Sequence, residues 1–267
     1  MKTVNTVLIT GATSGIGLLI ANHLFENGYT VYGTSRTPEK YKHTVPFDLL
    51  ELDVNSDRSV DNCIETLISE SKTIDVLINN AGIGICGSAE ETTAGQAYRQ
   101  FETNFWGVVK MTRAVLPLMR QQRSGKIVTI GSLAGLVGVP FQSYYSASKH
   151  ALEGFLKSVK LEVAPFNIKI SVVEPGFFKT NLHREFEYAE PSIRDYDAVR
   201  KKALSVLSSS IEKGETAEPV ARVILKILNS ENPAYSYRVG KYTWLAPTLQ
   251  FLFSGLYESG TARKFGL

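Results

Sequence analysis

The sequence predicts an α/β protein with a single doubly wound parallel sheet, layered α/β/α. Three observations lead there. Short β-branched runs alternate with helical stretches along the chain. The first run, Thr6-Val7-Leu8-Ile9-Thr10, leads straight into a glycine-rich turn and then a helical pattern. No repeat, low-complexity tract or linker divides the 267 residues, 43% of them hydrophobic, so one large core is expected over residues 1–267.

The elements follow in order. After the first strand comes Gly11-Ala12-Thr13-Ser14-Gly15-Ile16-Gly17, and a helix is expected over residues 18–27, stopped by Gly28. Strand, glycine turn and helix set a pyrophosphate on a helix N-terminus, because bare backbone can approach the phosphates. The order therefore reads as a nucleotide-binding Rossmann fold. A second strand is expected over residues 29–33, ending in Thr34-Ser35-Arg36. An NAD site usually has a carboxylate here, about 20 residues on, for the ribose 2′-hydroxyl. This chain has Arg36 instead, nineteen residues past Gly17. A guanidinium suits a 2′-phosphate, so NADP(H) is preferred over NAD(H), with Ser35 or Thr34 as secondary donors.

Further strands are expected over residues 49–54, with Asp53 at the end, and 75–79, running into Asn80-Ala81-Gly82. A helix over 57–71 separates them. Residues 92–122 have long helical periodicity, with Asn104 inside and Pro117 expected to kink it. Asn is a poor helix-interior residue, so a local distortion is expected at Asn104. A strand over 126–130 precedes Ser132, a helix over 143–164 bears Tyr145 and Lys149, and a strand over 168–173 precedes Glu174-Pro175-Gly176. Residues 180–210 are polar and irregular in pattern and are expected to form a lid, about 177–214. A helix over 216–229, a last strand over 235–239 and an apolar tail, about 241–267, complete the chain.

Composition narrows the function. The net charge is only +3 and no basic run stands out, so nucleic acid is not the expected partner. Cys63 and Cys86 suggest neither a disulfide framework nor a metal site, and the four histidines show no ligand spacing. No apolar run is long enough to span a bilayer and no signal segment is visible. A cytoplasmic enzyme is expected.

The chemistry centres on Tyr145-Ser146-Ala147-Ser148-Lys149. A phenol and an ammonium four residues apart share a helix face. An unperturbed phenol has a pKa of about 10, and a neighbouring cation lowers it. Tyr145 can then serve as general acid or base. Ser132 lies just past a strand's carboxyl end, where ligands of open α/β sheets bind.

Together these residues resemble the short-chain dehydrogenase/reductase family, in its single-domain form of roughly 250 residues. The matching motifs are Thr10-Gly11-x-x-x-Gly15-x-Gly17, Asn79-Asn80-Ala81-Gly82, Asn104, Ser132, Tyr145-x-x-x-Lys149 and Pro175-Gly176 with Thr180, in the family's order over residues 5–182. The resemblance implies that Tyr145 is the acid/base and that Lys149 holds the nicotinamide ribose and lowers the Tyr145 pKa. It implies that Ser132 orients the substrate oxygen and that Asn104 holds a water in a proton relay. Gly11, Thr13, Ser14, Gly15, Ile16 and Gly17 would line the pyrophosphate, Asp53 and Val54 the adenine, and Asn80, Ala81 and Gly82 the ribose region. Pro175, Gly176 and Thr180 would lie at the nicotinamide. It also implies a homodimer or homotetramer and a small-molecule carbonyl or alcohol substrate.

Residues 145–166 are similar to hydroxysteroid and retinol dehydrogenases, which implies a bulky apolar substrate. Gly138-Val139-Pro140-Phe141, Gly154-Phe155-Leu156, Phe177-Phe178 and the tail are expected to form its pocket. A non-catalytic NADP(H)-binding sensor is the alternative. A sugar-nucleotide epimerase or dehydratase usually has a different glycine spacing and a longer C-terminal substrate domain than this chain has.

Overall fold

Seven short, β-rich segments pair only in parallel, and the connecting helices cover both faces of the sheet. The computed structural model describes residues 6–179 and 186–267. The elements are β1 (Thr6–Ile9), α1 (Gly15–Glu26), β2 (Thr30–Ser35), β3 (Asp48–Glu51), α2 (Asp57–Ser71) and β4 (Val76–Asn79). They continue with α3 (Ala94–Phe101), α4 (Gly107–Gln122), β5 (Gly125–Ile130), α5 (Ser143–Val163), β6 (Ile168–Pro175) and α6 (Asp197–Glu212). The last are α7 (Glu218–Asn229), β7 (Ser236–Val239), α8 (Leu245–Leu252) and α9 (Ser254–Phe265). The sheet order is β7-β6-β5-β4-β1-β2-β3. Val7 pairs with Val31 on one side and Val76 on the other.

Strand order reverses between β1 and β4, which opens a crevice at their carboxyl ends. The core is split by the sheet, as continuous apolar strands require. One side packs α2, α4 and α5 around Leu8, Leu77 and Ile127. The other packs α1 and α7 around Val7, Ile9 and Ile78. Along α5 the buried stripe Lys149, Leu152, Leu156, Val159 and Val163 has helical spacing. That stripe fixes which way Tyr145 and Lys149 face.

Most expected elements agree within two or three residues. The helix after the glycine turn starts earlier than expected, at Gly15 rather than residue 18. The expected strand over 49–54 stops at Glu51, so Asp53 and Val54 lie in the loop beyond it. The long helical run is interrupted, as the poor fit of Asn104 suggests, by a π-helical turn at Glu102–Trp106. Pro117 lies inside α4 without ending it. The stretch expected to be irregular contains α6, sixteen residues long. The apolar tail folds as two helices: Pro247 falls in the first turn of α8, where its missing N–H costs little, and Gly255 near the start of α9.

Candidate active site

The glycine turn is built by close approach. Gly11 has φ +68° and Gly15 φ +54°, which glycine adopts freely. A Cβ on Gly17 would come within 2.2 Å of the Gly11 carbonyl oxygen and 2.3 Å of Asn80 Nδ2. Asn80 Nδ2 donates to the carbonyls of Thr10 and Gly11, each at 3.0 Å. The backbone N–H groups of Asn80 and Ala81 both donate to Thr10 Oγ1. Gly11 N donates to Thr34 Oγ1 at 3.2 Å. The turn is thus clasped to the ends of β2 and β4, so Asn80 and Thr34 hold the backbone.

Of these, Gly11, Gly15, Thr34, Asn80 and Ala81 line a polar cleft of about 600 Å³ at the crevice, whereas Gly17, expected along the pyrophosphate, lies beneath the turn against Gly11 and Asn80. Its walls include Gly11, Thr13, Ser14, Gly15 and Ile16, then Ser35 and Arg36, then Asp53 and Val54. Ala81, Gly82, Pro175 and Gly176 also border it. Ser14 caps α1 without a side-chain hydrogen bond, and no acidic residue stands in the first turn. The helix N-terminus therefore offers unneutralised donors to an anion. Arg36 is exposed and has no hydrogen bond or ion pair among the described residues. Glycine backbone, a helix N-terminus and a free guanidinium form a donor set that fits a phosphorylated dinucleotide. Thr180, expected at the nicotinamide end, lies outside the described residues.

Three of the four expected catalytic residues, Ser132, Tyr145 and Lys149, border this cleft, and Asn104 does not. Ser132 follows β5 and caps the short turn Leu133–Gly135 by accepting from Ala134 N at 3.1 Å. Gly135 lets that turn lie against α5, since a Cβ there would meet the Lys149 carbonyl oxygen at 3.0 Å. Lys149 is buried, and its Nζ donates to Ile130 O at 2.9 Å. It lies 5.9 Å from the centroid of the Tyr145 ring.

The electrostatics differ from the sequence expectation. Lys149 was expected to lower the Tyr145 pKa. Instead burial raises it, partly offset by the hydrogen bond with Ser132, and nearby Cys86 adds to the rise. Burial also depresses the Lys149 ammonium to about 8. Desolvation dominates at both, so both groups are pushed towards their neutral forms.

Asn104 is fully buried, and its side chain is fully engaged. Oδ1 accepts from Ile83 N at 2.8 Å, and Nδ2 donates to Ile83 O at 2.9 Å and Ser148 Oγ at 3.3 Å. It ties the loop after β4 to α5, so the side chain itself acts as a positioning group.

A second cavity of about 610 Å³ meets the cleft at Ile16, Ser132, Tyr145, Pro175 and Gly176. Its walls are mostly apolar. Gly138, Val139, Pro140, Phe177 and Phe178 border it, as expected. Phe155 and Leu156 do not, because their side of α5 packs into the core. Phe141 is buried beside the cavity, edge-on to Tyr196. Leu245, Leu249, Leu256 and Tyr257 of the tail border it as expected, whereas Leu207 and Ile211 of α6 were not foreseen. The spacing of four between Leu207 and Ile211 was the available signal.

A phosphate-accepting cleft joined to an apolar cavity through a Ser–Tyr–Lys set defines a nicotinamide-dependent oxidoreductase acting on a carbonyl or alcohol. The sequence matches the model of the short chain dehydrogenase family over residues 5–191. The chain belongs to that family. It is 41% identical over 250 residues to 3-ketodihydrosphingosine reductase of Bacteroides thetaiotaomicron, covering 93% of this chain and 90% of the relative. It is 37% identical to retinol dehydrogenase 8 of Bos taurus, covering 89% and 82%. Among solved structures, a short-chain dehydrogenase from Streptomyces avermitilis superposes with a TM-score of 0.84 at 30% identity, covering 100% and 98%. ElxO with NADP bound gives 0.76 at 28%, covering 90% and 98%. A Burkholderia phymatum homologue in complex with NAD gives 0.82 at 22%, covering 96% of each chain, a likeness of fold. A nicotinamide cofactor is supported without a preference between the two forms, and relatives named as reductases and dehydrogenases do not favour the sensor alternative.

Proposed function

We propose that the chain is an NADP(H)-dependent reductase of a carbonyl borne on a long or bulky apolar skeleton, acting in reverse as an alcohol dehydrogenase. One observation carries the reading: Ser132 and Tyr145 stand on the wall common to the polar cleft and the apolar cavity. A carbonyl held there meets both hydroxyls while its apolar remainder fills the cavity.

The cofactor supplies the hydride when bound. Ser132 donates a hydrogen bond to the substrate oxygen and fixes its direction. Tyr145 gives its phenolic proton to that oxygen as negative charge develops, and burial keeps that proton on the phenol until then. Lys149, anchored to Ile130 O, supports Tyr145 and the ribose, and Asn104 holds the loop after β4 against α5 beneath them. Arg36, with Ser35 and Thr34 near it, takes the 2′-phosphate. Gly17 and Asn80 keep the phosphate cradle open.

The apolar walls support a lipid-like ketone, and the names of the sphingoid and retinoid relatives point to the same class. The described parts of segment 177–214, residues 177–179 and 186–214, with Phe177, Leu207 and Ile211 on the cavity, serve as the lid. Buried thiols at Cys63 and Cys86, pushed up to about 12 and 11, fit a reducing cytoplasm. Exposed Tyr98, Trp106 and Leu161 on α3 to α5 support a homodimer or homotetramer. The test is NADPH oxidation across steroid, long-chain aliphatic and small aromatic ketones. Turnover highest on long-chain or steroid ketones supports the reading, and turnover confined to small polar carbonyls overturns it.

A further inference from the structure

The apolar cavity opens on an apolar surface. Leu245 and Leu256 line it and are also 52% and 68% exposed. Around that mouth the hairpin of α8 and α9 presents Phe251 at 86% exposure and Phe253 at 56%, and Trp244 at the start of α8 is exposed too. Residues 242–257, sixteen in a row, contain no Asp, Glu, Lys, Arg or His. So large a continuous exposed apolar surface calls for a partner.

The charges around it indicate which partner. Lys241 and Lys264 line the same mouth, Arg263 is exposed beside Lys264, and Arg238 lies over the Trp244 ring at 4.6 Å. Against these four cations the flank has Glu258, Glu215, paired with Lys241 at 3.4 Å, and the buried Glu174 near Arg238. Apolar side chains at the centre and basic ones at the rim are complementary to a bilayer interface with anionic headgroups.

We propose that the α8–α9 hairpin docks on an anionic lipid bilayer, with Phe251 and Phe253 inserted and the cavity mouth turned to the acyl layer. A lipid ketone then reaches Ser132 and Tyr145 without crossing water. The docking stands by itself, and only the delivery of substrate rests on the reading above.

Sedimentation with phosphatidylcholine vesicles containing phosphatidylglycerol tests it, against phosphatidylcholine alone. The variant is Phe251→Ser with Phe253→Ser, since neither residue lines the cavity or cleft. The full chain is expected to sediment with the anionic vesicles, less with neutral ones, and less at high salt. The double variant should partition about tenfold or more weakly. Its melting temperature, NADPH affinity and turnover of a short water-soluble ketone should stay unchanged, which separates failed docking from failed catalysis. Turnover of a long-chain ketone delivered in the vesicles should fall with the docking. Wild-type protein that remains in the supernatant overturns the proposal, as does equal sedimentation of the variant. A wild-type dimer that the double substitution dissociates, without vesicle binding, assigns the face to a second copy and also overturns it.

Discussion

The Lys149 ammonium donates to the carbonyl of Ile130 at 2.9 Å, two residues before Ser132 on the same strand end. The anchor holds the cation near the Tyr145 ring while Ser132 is held from the other side by its own turn. Three side chains from β5 and α5 are thereby fixed relative to one another before any ligand arrives. Preorganisation of this kind keeps catalytic groups in reacting geometry without reorganisation.

Replacing the phenol tests the acid/base assignment. Tyr145→Phe keeps the ring and removes the proton. Turnover should fall by about 10²–10⁴-fold, and NADPH should bind within a few-fold of wild type. Near-normal turnover in a ketone-reduction assay would remove Tyr145 from the mechanism.

The direction of the Tyr145 shift sets a pH pattern. Reduction needs the protonated phenol, and oxidation of the alcohol needs the phenolate. With the phenol held above its ordinary value, reduction should persist into alkaline buffer, and alcohol oxidation should still be rising there. Opposite slopes of kcat/KM for the two directions check this. Parallel slopes would mean that another group titrates.

The cofactor preference rests on Arg36. Its guanidinium is free among the described residues and borders the cleft near the end of β2. Arg36→Asp should raise the Kd for NADPH by about 10–100-fold, the worth of a charge-assisted hydrogen bond, and leave NADH nearly unchanged. Titration of both dinucleotides by fluorescence decides the matter. A wild-type preference for NADH would end the 2′-phosphate argument.

Much of this was legible from residues alone because the signals are local. The clasp at Gly11, Gly17 and Asn80 is written in a short motif, and the face shared by Tyr145 and Lys149 follows from their spacing. The π turn at Glu102–Trp106 was foreshadowed by an Asn where a helix tolerates one badly. The α6 wall of the cavity was less legible, since it lies far from Tyr145 in sequence and in a stretch whose pattern suggested no helix. Phe155 shows the limit: its apolar character was plain, but only the packed position of α5 decides that it faces Phe105 in the core, at 6.0 Å between ring centroids. The sign of the Tyr145 shift was missed for a related reason. Spacing reveals a neighbouring charge, whereas desolvation depends on everything that surrounds the group.

Glu174 provides the last prediction. It is buried at the end of β6, beside the residues that join cleft and cavity, and accepts from Ser236 Oγ at 2.8 Å. Burial pushes its carboxyl up to about 7; the Ser236 hydrogen bond opposes this, Glu153 adds to the rise, and Arg238 and Lys157 oppose it. A carboxyl whose folded pKa exceeds its unfolded value near 4.5 favours folding only while protonated. Stability should therefore fall as pH rises from about 4.5 to about 7, because the unfolded chain releases its proton first. Glu174→Gln keeps an acceptor for Ser236 and removes the ionisation. The wild type should lose up to about 3 kcal/mol relative to this variant across that window. Urea unfolding of both proteins at pH 5 and pH 8 measures it. A stability difference that stays constant between the two pH values would show that Glu174 ionises in the folded protein as easily as in the unfolded chain.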